Sequence, residues 1–406
     1  MDYLSDNGFV PHTAQEEAQD RTHGAQKKRK RTRIKWFAKR GAVDVTFLIL
    51  VMILLLFGLI MLFSASYAAA RYKTGDSFHY IKNQLIFAAM GVTGMIVISF
   101  IDYNVLRRFA IPIYCVAVLL LIIALILPPT KGNFHRWIAI GGIGTFQPSE
   151  IAKFAIVLLF AHLIAAYGEK MSTFKYGVAP FIITLGVVAV LTVLEPHVSG
   201  TILILLLGAI MMLAGGTRLK WFGLGLVFMA IAAGVFLMVP KGLEYAAKRV
   251  DIWMDPYSDP LGDGFQTIQS LIAIGSGGLM GKGLGDSRQK YLYIPEPQND
   301  YIFSVVCEEL GFVGATIIII LFALLIWRGF IIAMRAKDKF GSMLAMGLTM
   351  QVGIQTLLNI AVVTNSVPPT GISLPFFSYG GTALLMLLFQ MGVVLSISRE
   401  ARIVKE

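Results

Sequence analysis

The feature that most constrains this chain is a series of about ten apolar runs, each bounded by charge, glycine or proline. They lie near residues 45–67, 84–101, 109–127, 150–167, 178–195, 200–214, 221–239, 302–327, 342–363 and 380–397. A helix of about 20 residues spans a hydrocarbon core ~30 Å thick, and within lipid a helix satisfies its backbone polar groups internally. The composition agrees: of 406 residues 56% are apolar and 15% charged, with mean hydropathy +0.71, outside the range of water-soluble domains. The expected fold is an all-α polytopic membrane protein with about ten transmembrane helices. The fourth to sixth spans are the least regular, because Glu150, Lys153, Glu195 and His197 intrude near their ends.

Charge sets the expected orientation. Lys27, Lys28, Arg29, Lys30, Arg31, Arg33 and Lys35 precede the first apolar run, and no earlier apolar stretch resembles a cleaved signal. Arg107, Arg108, Lys170, Lys175, Arg218, Lys220, Arg328, Arg335, Arg399 and Lys405 fall on the same side, so that side reads as cytoplasmic. Residues 1–41 are expected to form a disordered basic tail that touches anionic lipid, and 400–406 a second cytoplasmic tail. The net charge of +11 therefore calls for no nucleic acid partner. Cys115 and Cys307 both lie inside apolar runs, which argues against a disulfide framework or a thiolate metal site.

The opposite face receives one connection, 240–301, far longer than an ordinary loop and too apolar to be disordered. Leu243, Ala247, Val250 and Met254 repeat at helical spacing and predict a helix on the bilayer surface; a second short helix is expected from Gln266 to Ile274. Between them Pro256, Pro260, Gly262 and Gly264 forbid a continuous helix. Asp251, Asp255, Asp259 and Asp263, although evenly spaced, therefore cannot form one acidic stripe. Asp259 precedes Pro260 and is held in a turn. Residue chemistry alone leaves it open between a catalytic carboxylate and an ordinary turn former.

Three further clusters carry chemistry. Arg136-Trp137 and Gln147-Pro148-Ser149-Glu150-Ile151-Ala152-Lys153 place a carboxylate and an ammonium three residues apart at a helix start. They are either an ordinary ion pair on a helix capped by Ser149, or polar walls of a cavity. The glycine-rich stretch from Gly275 to Gly285, followed by Ser287-Arg288-Gln289-Lys290, could meet an anionic diphosphate or form a solvated loop; it lacks the Gly-Lys-Ser/Thr ending of a P-loop. Pro368-Pro369-Thr370-Gly371, with Leu374-Pro375 and Ser378-Tyr379-Gly380-Gly381, predicts broken backbone beside a cavity. Gln351, Gln355 and Asn359 either face the same space or bond neighbouring helices.

In this order, these segments resemble the SEDS family (shape, elongation, division and sporulation), membrane glycosyltransferases that polymerise peptidoglycan from lipid II. The resemblance runs from about Val43 to Arg399. It rests on Arg136-Trp137 with residues 147–153, on Asp259-Pro260-Leu261-Gly262-Asp263-Gly264-Phe265-Gln266, on Gln289-Lys290 through Pro295-Glu296 to Glu308-Glu309-Leu310-Gly311, and on Leu374-Pro375 with Ser378-Tyr379-Gly380-Gly381. It implies a ten-helix domain over 42–399, with an extracellular catalytic loop, 240–301, between helices seven and eight. It implies Asp259 as the essential carboxylate and general base of an inverting transfer. Arg136, Trp137, Glu150, Lys153, Gln289, Lys290, Ser378 and Tyr379 would surround the lipid-linked substrate. Also implied are an optional divalent cation (Mg or Mn) without dedicated ligands, lipid II and undecaprenyl-diphosphate-linked glycan as substrates, and a class B penicillin-binding protein and other divisome proteins as partners. The expected place is the bacterial plasma membrane at the division septum. Residues around Gln289-Lys290 and Pro295-Glu296 look more like the division and sporulation branches than the elongation branch. Two departures stand out: Glu195-Pro196-His197 where the family commonly has Gln-Pro-Asp, and Asn133-Phe134-His135-Arg136 for a commoner Asn-Gly-Ala-Arg. A lipid flippase, which inverted repeats would mark, and a non-enzymatic scaffold are the competing classes.

Overall fold

The computed structural model describes residues 41–128, 136–140, 144–195, 197–223, 225, 250–262, 264–291 and 293–401. Most of the seventh expected span, the first part of the expected surface helix with Leu243 and Ala247, and nearly all of both tails lie outside these residues. The chain separates into Met1–Lys35 and Trp36–Glu406, and every described residue belongs to the second unit.

Nine helices among the described residues are long and apolar enough to cross a membrane. In chain order the helices are α1 (Val45–Thr74), α2 (His79–Phe100), α3 (Tyr103–Ile126), α4 (Pro148–Tyr167), α5 (Ala179–Leu194), α6 (Val198–Gly215), the short α7 (Phe265–Gly277), then α8 (Ile302–Arg335), α9 (Lys339–Val363) and α10 (Gly381–Glu400). The ends follow local chemistry. The Asp44 carboxylate accepts the Phe47 N–H at 2.9 Å to start α1, and Asp338 accepts the Gly341 N–H at 2.7 Å to start α9. Gly75 closes α1 in the left-handed region at φ 75. At the start of α4 the structure corrects one expectation: Gln147 occupies the cap position, Pro148 begins the helix, and the Ser149 hydroxyl is buried without a hydrogen-bond partner among the described residues.

Burial separates centre from periphery. The apolar windows of α4, α9 and α10 are 61%, 56% and 67% buried, whereas those of α2, α3 and α8 are at most 28% buried. The outer helices thus turn Ile, Leu, Val and Phe outward, as a lipid-facing surface requires. Buried polar side chains are spread over inner and outer helices alike, among them Glu150 and Lys153 on α4, Gln351 and Gln355 on α9, and Glu308 and Glu309 on α8. A two-stranded hairpin, β1 (Ile138–Ile140) antiparallel to β2 (Gly144–Phe146), leads into α4.

Hydrogen bonds identify which helix ends share a face. On one, Arg328 Nε donates to Asp44 at 2.9–3.0 Å, Tyr103 donates to Asp338 at 3.0 Å, and Lys337 pairs with Glu400 at 3.3 Å. On the other, Gln84 donates to the Ser378 carbonyl, Tyr379 N–H to Gln298, and Asn359 to both Asp300 and Ile372 carbonyls. That second face gathers the hairpin, the 250–301 segment and residues 364–380. Its closeness to α1 depends on Gly58, where an added Cβ would stand 2.2 Å from the Phe376 carbonyl oxygen.

Candidate active site

The start of α4, two side chains of α9 and the unwound segment before α10 enclose a cavity. Glu150, Gln351, Gln355, Ser373, Ser378 and Tyr379 supply its polar lining, with Leu384 and Leu387 below. Its volume of about 40 Å³ holds roughly three ordered waters at 10–15 Å³ each. The segment keeps its shape because Leu374 N–H donates to the Ser378 hydroxyl at 2.8 Å and Gln355 donates to the Ser373 carbonyl at 3.0 Å. Glu150 pairs with Lys153 one turn on, at 2.8 Å, and both are buried. A buried pair in an apolar bundle needs each partner to offset the other's desolvation, so the pair brings polarity to the cavity wall at no net charge. Of the two readings of Asn359, the structure shows hydrogen bonding to neighbouring segments: its amide donates to the Asp300 and Ile372 carbonyls, both at 2.7 Å.

A second polar group lies at the ends of α5 and α6 and below the hairpin. Glu195, just past α5, is fully buried, and neither carboxylate oxygen has a hydrogen-bond partner among the described residues. Burial pushes its pKa up to about 8, with nearby Arg136 drawing it down. Burial likewise pushes His197 down to about 3, helped by the Arg136 and Lys153 charges, and its Nε2 stands 3.5 Å from Gln147 Nε2. Arg136 is held between the fields of Asp300 and Glu195, which oppose the lowering of its pKa by burial. Trp137 follows, half-buried, at the entry to β1.

Gln289 and Lys290 lie elsewhere. Helix α8 kinks at Gly311, whose φ of 66 lies in the left-handed region. The carbonyls this frees are taken by a strap folded over the kink: Lys282 and Gly283 N–H donate to the Glu308 and Glu309 carbonyls at 3.0 and 3.1 Å, and Phe312 N–H donates to Gly278 at 2.9 Å. Beneath the strap the two carboxylates are buried and paired. Lys282 meets Glu308 at 2.6 Å, and Lys290 meets Glu309 at 2.9 Å with Ser64 completing the group. Gln289 N–H donates to Glu308 at 3.3 Å. The glycine-rich stretch is exposed along most of its length, as a solvated loop would be, while Lys282 and Lys290 turn to Glu308 and Glu309. The signal that could have found this was in the sequence, since two adjacent carboxylates inside an apolar helix demand cations.

Asp259 follows the single turn Pro256–Ser258 and is half-buried; one of its carboxylate oxygens accepts the Gly262 N–H at 3.1 Å. It is not among the residues lining the cavity. The loop that carries it is tied to the cavity wall, because the same 364–380 segment that lines the cavity also contacts residues 253 and 298. Among the described residues no three His, Cys, Asp or Glu side chains converge as ligands for a divalent cation.

A family model described as cell cycle protein, covering FtsW, RodA and SpoVE, matches residues 44–403. The chain belongs to the FtsW, RodA and SpoVE family. Stage V sporulation protein E of Bacillus subtilis (strain 168) is 40% identical over 370 residues, covering 90% of this chain and 99% of that protein. The probable peptidoglycan glycosyltransferase FtsW of Geobacter sp. (strain M18) is 38% identical, covering 88% and 97%. A chain from a peptidoglycan synthase complex, solved for the coordination of polymerization and crosslinking, superposes with a TM-score of 0.71 at 29% identity over 88% of this chain and 98% of its own. Thermus thermophilus RodA shares the fold, with a TM-score of 0.65 at 23% identity, covering 89% and 98%. Family membership thus agrees with the multi-pass fold and with the four segments on which the resemblance rests.

Proposed function

We propose that this chain is a peptidoglycan glycosyltransferase that polymerises lipid II, with Asp259 as general base. The observation that carries the reading is that one segment, 364–380, both walls a polar cavity and holds the loop bearing the turn-constrained Asp259. Family membership and the FtsW relatives supply the reaction class.

The substrate arrives with its leaving group attached, a lipid diphosphate on the anomeric carbon. The acceptor hydroxyl attacks that carbon, Asp259 takes the hydroxyl proton, and the bond from carbon to diphosphate oxygen breaks, so configuration inverts. General-base assistance is worth about 10²- to 10⁴-fold. The departing diphosphate needs cations, and Arg136 and Lys153, both in the segments that carry the resemblance, are the candidates to supply that charge. Ser378, Tyr379, Trp137 and the Glu150–Lys153 pair would orient the sugars.

The partner this reading expects, from the family resemblance, is a class B penicillin-binding protein; likeness to a chain from a peptidoglycan synthase complex that coordinates polymerization and crosslinking supports it. The reading also has both termini in the cytoplasm, from the basic residues that share their face, and the protein at the septum with other division proteins. Purified protein given labelled lipid II, alone and with the transpeptidase, should yield glycan polymer. Its absence in every condition overturns the reading, and movement of lipid II across vesicles without polymer would replace it with a flippase.

A further inference from the structure

Asn365 stands two residues beyond α9 with φ 55, a left-handed conformation that asparagine tolerates better than most residues. Its backbone carbonyl accepts the indole Nε1–H of Trp253 at 3.0 Å, and its side-chain Nδ2 donates to the Trp253 carbonyl, also at 3.0 Å. Two hydrogen bonds between the same residues, each joining one side chain to the other's backbone, fix distance and orientation together.

Trp253 lies six residues before Asp259, and the chain between them is stiff. The Asp255 carboxylate accepts the Tyr257 N–H at 3.0 Å, Pro256 is buried, and Gly264 approaches the Pro256 carbonyl so closely that a Cβ would stand 2.1 Å from it. Two more bonds end on the same turns of α9: Ser270 donates to the Val363 carbonyl at 2.9 Å, and Asn359 to the Asp300 carbonyl at 2.7 Å. Three separate parts of the long loop therefore hang from the end of one helix, and the part nearest Asp259 hangs from Asn365.

We propose that Trp253 and Asn365 are positioning residues for glycosyl transfer, their reciprocal hydrogen bonds holding Asp259 where it can take the proton of the attacking hydroxyl. The inference rests on the reading of Asp259 as the base. The pair's bonds are to each other, and its effect reaches the reaction through Asp259, on the rate of the chemical step. A displacement of about 1 Å at a reacting group costs up to ~10²-fold, and any shift of the end of α9 carries Asp259 with it.

The test uses the full-length protein in lipid vesicles with labelled lipid II, measuring initial rates over a range of substrate concentrations. Trp253→Phe removes the indole donor. Asn365→Gly keeps the left-handed backbone and its carbonyl and removes only the side-chain donor. Each single variant should lose about tenfold in kcat with KM unchanged, and the double variant should lose no more than the more damaging single, because the two bonds act as one unit. Hydrogen exchange over 250–262 should quicken in each, while exchange in α8 stays at the wild-type rate. Wild-type kcat per folded molecule, losses that multiply in the double variant, a loss confined to KM, or unchanged exchange over 250–262 would each overturn the proposal. Asp259→Ala in the same assay separates the two readings. If it stays active, the base assignment fails and this inference with it; if it is inactive while the clamp variants keep full kcat, only this inference fails.

Discussion

Lys290 and Glu309 pair at 2.9 Å with both side chains buried, under a strap that leaves neither an alternative partner in water. Removing one member leaves a buried charge uncompensated, at about 3–5 kcal/mol. Glu309→Ala should therefore lower the thermal midpoint sharply in detergent, whereas Glu309→Gln, which keeps hydrogen bonds to Ser64 and Lys290, should lower it less. Glu195 predicts a pH effect of definite sign. Its folded pKa of about 8 lies well above the ordinary glutamate value of about 4.3, so between those values unfolding releases a proton and stability falls as pH rises. Glu195→Gln should raise the midpoint at pH 8 and flatten its decline above pH 5; a wild-type slope in the variant would contradict the assignment. At this scale the sequence made one buried ion pair legible and hid the other. The pairing of Glu150 with Lys153 follows from helical spacing, but that of Lys290 with Glu309 depends on a strap crossing a kink, which spacing does not encode.

The spans were legible because apolar length and flanking charge are one-dimensional properties, and α7 at Phe265–Gly277 lies within a few residues of its expected place. The kink at Gly311 was not. Glycine is common in membrane helices, and two things require it there: its left-handed φ of 66, and the close approach of the strap, where an added Cβ would clash with the Gly281 nitrogen. Gly311→Ala should separate strap from helix, read as faster proteolysis between 278 and 290. Gly58 makes a parallel demand. Gly58→Val drives a branched side chain into the Phe376 carbonyl, and should lower both the thermal midpoint and the yield of folded protein.

Over the whole protein, the cavity is walled by the central helices α4, α9 and α10 and by the broken segment before α10, while the outer helices turn apolar side chains outward. The cavity accommodates only a few waters, and Asp259 lies outside its lining. A lipid-linked disaccharide therefore requires the long loop or the 364–380 segment to move, and both meet at the end of α9. The most direct measurement is glycan polymer formed from labelled lipid II by wild-type protein and by Asp259→Asn, which keeps the shape of the side chain and removes its basicity. The account predicts polymer from the wild type and at least a ~10²-fold lower rate from the variant at equal folded protein; equal rates would contradict it.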